Sequence, residues 1–293
     1  MNRLTQLRGL AGLLIPGLDA HEARTLGWYH VYGEMFRLLC EDSGFLDFGW
    51  SEDPDTSDLL GAQHEMVRQV TASLQAGPEG PWLDVGCGEG GPACLMAQER
   101  GVQVTGLNIN ASQVAMCIER AQRLGVQVDF VEGNAQEMPL DSGTFSGVYT
   151  IESPLHYPDK PAFLAEVTRV LKPGGRFALC DIVRVPRDIS LGQAMGVELG
   201  RWLYACPPLW SAADWAEGMR SLGLEDVEIM DCTRQTLGLT PAWIRQLDSV
   251  KGEIRKRYPP GVYQGARRIL VELSARLEGL PIGYTLVTAR KPA

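Results

Sequence analysis

The chain has 293 residues, 45% of them apolar, and a net charge of −9 from 27 basic and 36 acidic side chains. That length buries a large core, as one elaborated domain or a domain with a cap. The acidic balance and the absence of a basic run exclude an extended nucleic-acid footprint. No apolar stretch approaches the roughly 18 residues of a membrane span. The seven cysteines (Cys40, Cys87, Cys94, Cys117, Cys180, Cys206 and Cys232) form no C-x-x-C pair, which predicts reduced, buried thiols, a cytoplasmic setting and no metal site.

Residues 1–80 read as a helical cap ahead of a sheet. Leu10 to Leu18 is apolar and short without a small-residue cleavage pattern, an amphipathic start rather than a signal peptide. Trp28, Tyr29, Tyr32 and Phe36 recur at helical spacing, which serves either a core or a ligand pocket. An aromatic loop, Phe45 to Trp50, precedes an acidic turn-prone segment and a helix predicted over 57–74. The Gly77-Pro78-Glu79-Gly80-Pro81 breaker marks a boundary, so that 81–293 is the main domain.

From Trp82 the pattern alternates strand and helix, which implies a parallel sheet covered on both faces. Strands are predicted at 82–85, 102–107, 126–132, 145–150 and 176–182, and helices at 93–99, 111–124 and 160–171. In such sheets the ligand sits at the carboxyl ends of the strands, near the switch in strand order. Past Pro186 the regularity breaks. An aromatic segment ending at Trp210 reads as a lid (186–210), and 240–278 as a second, helical insertion, basic around Lys251–Arg257 and Arg267-Arg268, which serves either a solvated helix face or an anionic-substrate clamp. A helix capped by Ser211 and two strands, near 227–232 and from Gly283 on, complete the chain.

The chemistry centres on Trp82-Leu83-Asp84-Val85-Gly86-Cys87-Gly88-Glu89-Gly90-Gly91-Pro92, a buried strand running through a glycine turn into a helix. Glycines at alternate positions let backbone approach a ligand more closely than a Cβ allows, and the helix N-terminus aims free amides at the turn. Gly86, Gly88 and Gly91 also fit the G-x-G-x-x-G dinucleotide pattern. That pattern wants an acid about 20 residues on, at the end of the next strand, and here the strand ends in Asn108-Ile109-Asn110.

The D-V-G-C-G-x-G form resembles motif I of the S-adenosylmethionine (SAM) dependent methyltransferases. Thr105–Asn110 with Gln113, Gly133-Asn134-Ala135 and Leu171-Lys-Pro-Gly-Gly175 follow in the family's order. Together they are similar to the class I enzymes acting on sterols, tocopherols, macrolides and natural-product sugars. The resemblance implies an α/β, Rossmann-like, mostly parallel seven-stranded sheet with N-terminal helices and an inserted lid. It implies SAM as cofactor, with Asp84, Gly86, Cys87, Gly88 and Gly90 around the methionine moiety and Ile151 nearby. Asn108, Ile109 and Gln113 would take the ribose in place of the usual acid, and Asn134 and Ala135 the adenine.

After the fourth strand, Glu152-Ser153-Pro154-Leu155-His156-Tyr157-Pro158-Asp159 keeps the second of two histidines that similar sugar O-methyltransferases carry. Asp181, ending the fifth strand, matches an acid of those relatives. The first reading is therefore O-methylation of a hydroxylated natural product, with His156 as base and Asp181 orienting it. The second is C-methylation of a terpenoid, prenyl or sterol-like substrate, with Glu152 and the aromatics Trp28, Tyr29, Tyr32, Trp202 and Trp210 stabilising a carbocation. The third is a SAM-binding, cyclase-like protein without transfer. In each the partner is a small-molecule acceptor, and the sequence leaves open both its identity and the oligomeric state, a homodimer included.

Overall fold

α1 (Leu59–Ser73) begins where Asp58 accepts the Gly61 amide at 2.7 Å, and it buries Met66, Val67 and Val70 on one face. In this computed structural model the described residues are 25, 27, 33, 35–40, 43–75, 80–203, 205–275, 279 and 281–293. Trp28, Tyr29 and Tyr32 lie outside them, as do the side chain of Trp202 and residues 76–79 of the breaker.

The alternating region then folds as β1 (Trp82–Val85), α2 (Gly91–Arg100), β2 (Val104–Asn108), α3 (Ala111–Leu124), β3 (Val128–Glu132), β4 (Phe145–Ile151), α4 (Lys160–Val170) and β5 (Leu171–Arg184). α5 (Leu191–Leu203) and α6 (Ala212–Ser221) lead to β6 (Glu225–Asp231). The insertion α7 (Thr240–Ser249), α8 (Lys251–Arg257) and α9 (Val262–Ala275) precedes β7 (Ile282–Arg290). The strands form one sheet in the order β3-β2-β1-β4-β5-β7-β6, parallel except for β7, which runs antiparallel to both neighbours.

β1 is buried on both faces, as suits a central parallel strand. Trp82 packs in a cluster with Met66 and Val70 of α1, while Leu83 and Val85 pack on the other face with Phe163 and Leu164 of α4. Each such side chain, fully buried, is worth about 1.5–3 kcal/mol. From β1 the chain works outward to β2 and β3, then returns to β4 on the other side of β1. That reversal opens a crevice at the carboxyl ends of β1 and β4.

Several boundaries differ from the expected ones for local reasons. α2 starts at Gly91 because Gly90 is left-handed (φ +83°) and Pro92 fits the first turn. β5 starts at Leu171, which pairs with Phe145 before the ladder slips and resumes at Gly147 with Arg176. The insertion α7–α9 shares a third apolar cluster with Met35 and Leu39 of the N-terminal region. Gln246 Nε2 donates to the Leu39 carbonyl at 2.8 Å and Trp243 Nε1 to that of Phe48 at 2.9 Å. Part of its basic face is paired on the surface, Lys256 with Glu253 at 2.7 Å and Arg267 with Asp248 at 3.0 Å. Among the described residues no helix is long and apolar enough to cross a membrane.

Candidate functional site

The glycine turn after β1 is tied to β2 by its backbone: the Gly86 and Cys87 amides both donate to the Leu107 carbonyl, at 2.8 and 3.0 Å. Gly86, Gly88 and Gly90 all have positive φ, at +74°, +54° and +83°, where a side chain is strained. A Cβ at Gly86 would fall 1.8 Å from Ser153 Oγ, so the turn leaves no room there even for alanine. Asn108 Nδ2 donates to the Gly88 carbonyl at 2.9 Å and to Gln113 Oε1 at 3.1 Å, while its Oδ1 accepts the Asn110 amide at 2.9 Å. Both amide oxygens expected to serve a ribose thus already accept a bond within the protein, and Gln113 Nε2 keeps its donors.

A cleft opens over this turn. Gly86, Gly88, Asn108, Ile109 and Gln113 line it from β1 and β2. Asn134 and Ala135 line it after β3, and Ser153, His156 and Tyr157 after β4. Asn134 Oδ1 caps its own turn by accepting from Gln136 at 2.9 Å. Ser153 and Tyr157 share a hydroxyl–hydroxyl bond of 2.5 Å, and the Tyr157 ring is held against Phe163 at 4.9 Å between centroids. Neither residue was singled out from the sequence, although both stand in the segment that carries Glu152 and His156.

The remaining expected residues among those described do not line the cleft. Cys87 is buried in the turn, Gly90 packs on Cys117 and Phe130, and Ile151 packs against the cluster containing Trp82. Trp210 packs at a tilt on Trp215, 4.8 Å between ring centroids, at the edge of the core. Glu152 has a positive φ of +47°, and its Oε1 accepts both the Phe48 amide at 2.5 Å and the Tyr284 hydroxyl at 2.6 Å. Asp47, from the aromatic loop, is buried close enough to feel both Glu152 and Asp84.

These carboxyls are held toward neutrality. Burial pushes Asp84 up to about 7, with the nearby Tyr149 side chain opposing, and Asp84 Oδ2 has no hydrogen-bond partner. Burial likewise pushes Glu152 up to about 7 against its bonds from Tyr284 and Phe48. A carboxyl whose folded pKa is raised stabilises the fold below its ordinary range, and that contribution is lost as pH climbs through the folded value. Without cofactor, the melting temperature should therefore fall between about pH 4.5 and about pH 7.5, and Asp84→Asn should flatten the fall. Differential scanning fluorimetry across that range tests this; equal slopes for both proteins would contradict it.

His156 is buried at 9% exposure, in a short 3-10 turn (Pro154–His156) just past β4. Cys206 Sγ lies 3.9 Å from its Nδ1. Asp181 is fully buried, with Oδ1 accepting the Ile182 amide at 2.7 Å and Oδ2 unpartnered. Burial holds its carboxyl well above the usual range, opposed by the Ile182 amide, Lys160 and the Leu155 amide. Lys160, which the sequence marked only as a helix start, is 2% exposed, and burial pulls its ammonium down to about 8, with Asp181 opposing.

The family described as "Methyltransferase domain" matches residues 83–179, the stretch from β1 into β5. The 27-O-demethylrifamycin SV methyltransferase of Amycolatopsis mediterranei is 31% identical over 90% of this chain and 95% of its own. The O-methyltransferase resE of Aspergillus sclerotiorum is 29% identical, over 89% and 95%. A crystal structure of the cyclase SpnF superposes with a TM-score of 0.75 at 24% identity, covering 92% of this chain and 96% of that one, a likeness of fold. With its glycine turn, its β-sheet order and relatives matched over nearly their whole length, the chain belongs to the class I SAM-dependent methyltransferases and uses S-adenosyl-L-methionine as its cofactor.

Proposed function

We propose that this methyltransferase acts on a hydroxyl of a small natural-product acceptor, with His156 as the base. The observation that carries the reading is that His156 lines the same cleft as Gly86, Gly88, Asn134 and Ala135. The relatives named for O-methylation support the choice of acceptor atom.

The cleft fits the cofactor on its own geometry. Gly86 and Gly88 form a cradle without side chains, with Cys87, Gly90 and Ile151 supporting it. Asp84 Oδ2, just before the turn, is a buried carboxyl oxygen lacking a partner. Asn108, Ile109 and Gln113 would face the ribose, and Asn134 and Ala135 the adenine. When bound, the cofactor supplies an activated methyl group whose sulfonium loses its charge on transfer.

The chain must then align acceptor and methyl, which in well-oriented systems is worth roughly 7–11 kcal/mol. It must also take the hydroxyl proton, worth about 10² to 10⁴ in rate. His156 would accept that proton at Nε2, since Nδ1 faces Cys206. Residues 1–80, 186–210 and 240–278 would form the cap and lids that exclude water. The seven free thiols support a reducing, cytoplasmic setting.

One observation favours C-methylation as the second reading. Glu152 is held at positive φ by two donors on one oxygen, close to Asp47. Incubation with SAM and hydroxylated acceptors, followed by mass analysis and fragmentation, separates the readings. An oxygen-bound methyl is expected, with Glu152→Gln lowering the rate less than His156→Ala does. A carbon-bound methyl with the reverse order of damage would replace the first reading by the second. Turnover without mass gain would point to a cyclase-like activity.

A further inference from the structure

We propose that Lys160 is a positioning residue for the reaction, and that it clamps the turn presenting His156. The proposal rests on His156 being the base, but its geometry stands apart from that. His156 ends a turn of only three residues, too short to hold its own orientation. The residue that follows it is gripped from a different element: Lys160 Nζ, at the start of α4, donates to the Tyr157 carbonyl at 2.8 Å.

Asp181 and Lys160 are both buried and lie within electrostatic reach of each other. An ammonium at 2% exposure is retained only where its charge and donors are used. Lys160 donates to the Tyr157 carbonyl, which ties its burial to the turn it holds. Lys160 also lies within electrostatic reach of Cys206 and Arg201 from the lid. Arg201 donates to the Cys206 carbonyl at 3.0 Å and pairs with Glu198 at 2.6 Å, which fixes the lid side of the cluster.

A residue that only stabilised the fold would leave the histidine unchanged in a folded variant. Lys160→Met should lower kcat about 10-fold, since small misplacements of a reacting group are costly, and leave SAM affinity within about twofold. In protein carrying isotope-labelled histidine, the His156 ring resonance, assigned by its loss in His156→Ala, should shift in Lys160→Met. Lys160→Arg, which keeps cation and donor, should return both readouts toward the parent. If Lys160→Met fails to fold by circular dichroism, Lys160→Gln provides the same comparison. A folded neutral variant with an unmoved resonance and kcat within about twofold overturns the clamp. An undiminished kcat in His156→Ala overturns the base instead, while the resonance still reads the clamp.

Discussion

Gly88→Val is expected to weaken binding of SAM and of S-adenosylhomocysteine by about 10² or more. Gly88 has a φ of +54°, and a Cβ there would already stand 3.3 Å from Leu46 Cδ1. A left-handed backbone costs a branched residue about 1–2 kcal/mol, and overpacking a further 1–3 kcal/mol, so the turn must shift or fill the cleft. Either outcome removes the close approach that the glycine permits. Gly101 provides the comparison: its φ is +63° at the end of α2, yet nothing lies within 4 Å of its missing Cβ. Gly101→Ala should cost about 1 kcal/mol of stability and leave affinity unchanged. Calorimetric titration of both variants decides the matter. A folded Gly88→Val protein with parental affinity would remove the turn from the cofactor site.

What could be read from the sequence was local. α3 shows both of its ends, with Asn110 accepting the Ser112 amide at one and left-handed Gly125 closing the other, because caps are short-range chemistry. The glycine turn was legible for the same reason, and the missing acid after β2 separated it from a dinucleotide fold. The partners of the site were not legible, because they meet through space. Cys206 reaches His156 from fifty residues on. Asp47 meets Glu152 from the other side of β1 in sequence, and Lys160 gives no sign in the sequence that its ammonium is buried. Aromatic spacing encodes contact no better: Trp210 packs at a tilt on Trp215, the fourth residue of the following helix.

His156→Ala should lower kcat by about 10² or more while SAM affinity changes little. The imidazole lines the cleft from past β4, whereas the glycine turn and Asn108 line it from the β1–β2 side. Removing it should therefore spare cofactor binding and act on the transition state. In the parent enzyme kcat should rise with pH over the range in which an imidazole deprotonates, because only the neutral ring can take a proton. The variant should lose that rise, which separates a base from a packing residue. Asp181→Asn should lower the rate in the same direction, since Asp181 is buried within electrostatic reach of Lys160, which holds the turn. Single-turnover assays over a pH series, beside titration with S-adenosylhomocysteine, measure all of this. A variant that keeps near-parental kcat and the same pH profile, while Glu152→Gln does not, would move the proton acceptor from His156 to the Glu152–Asp47 pair.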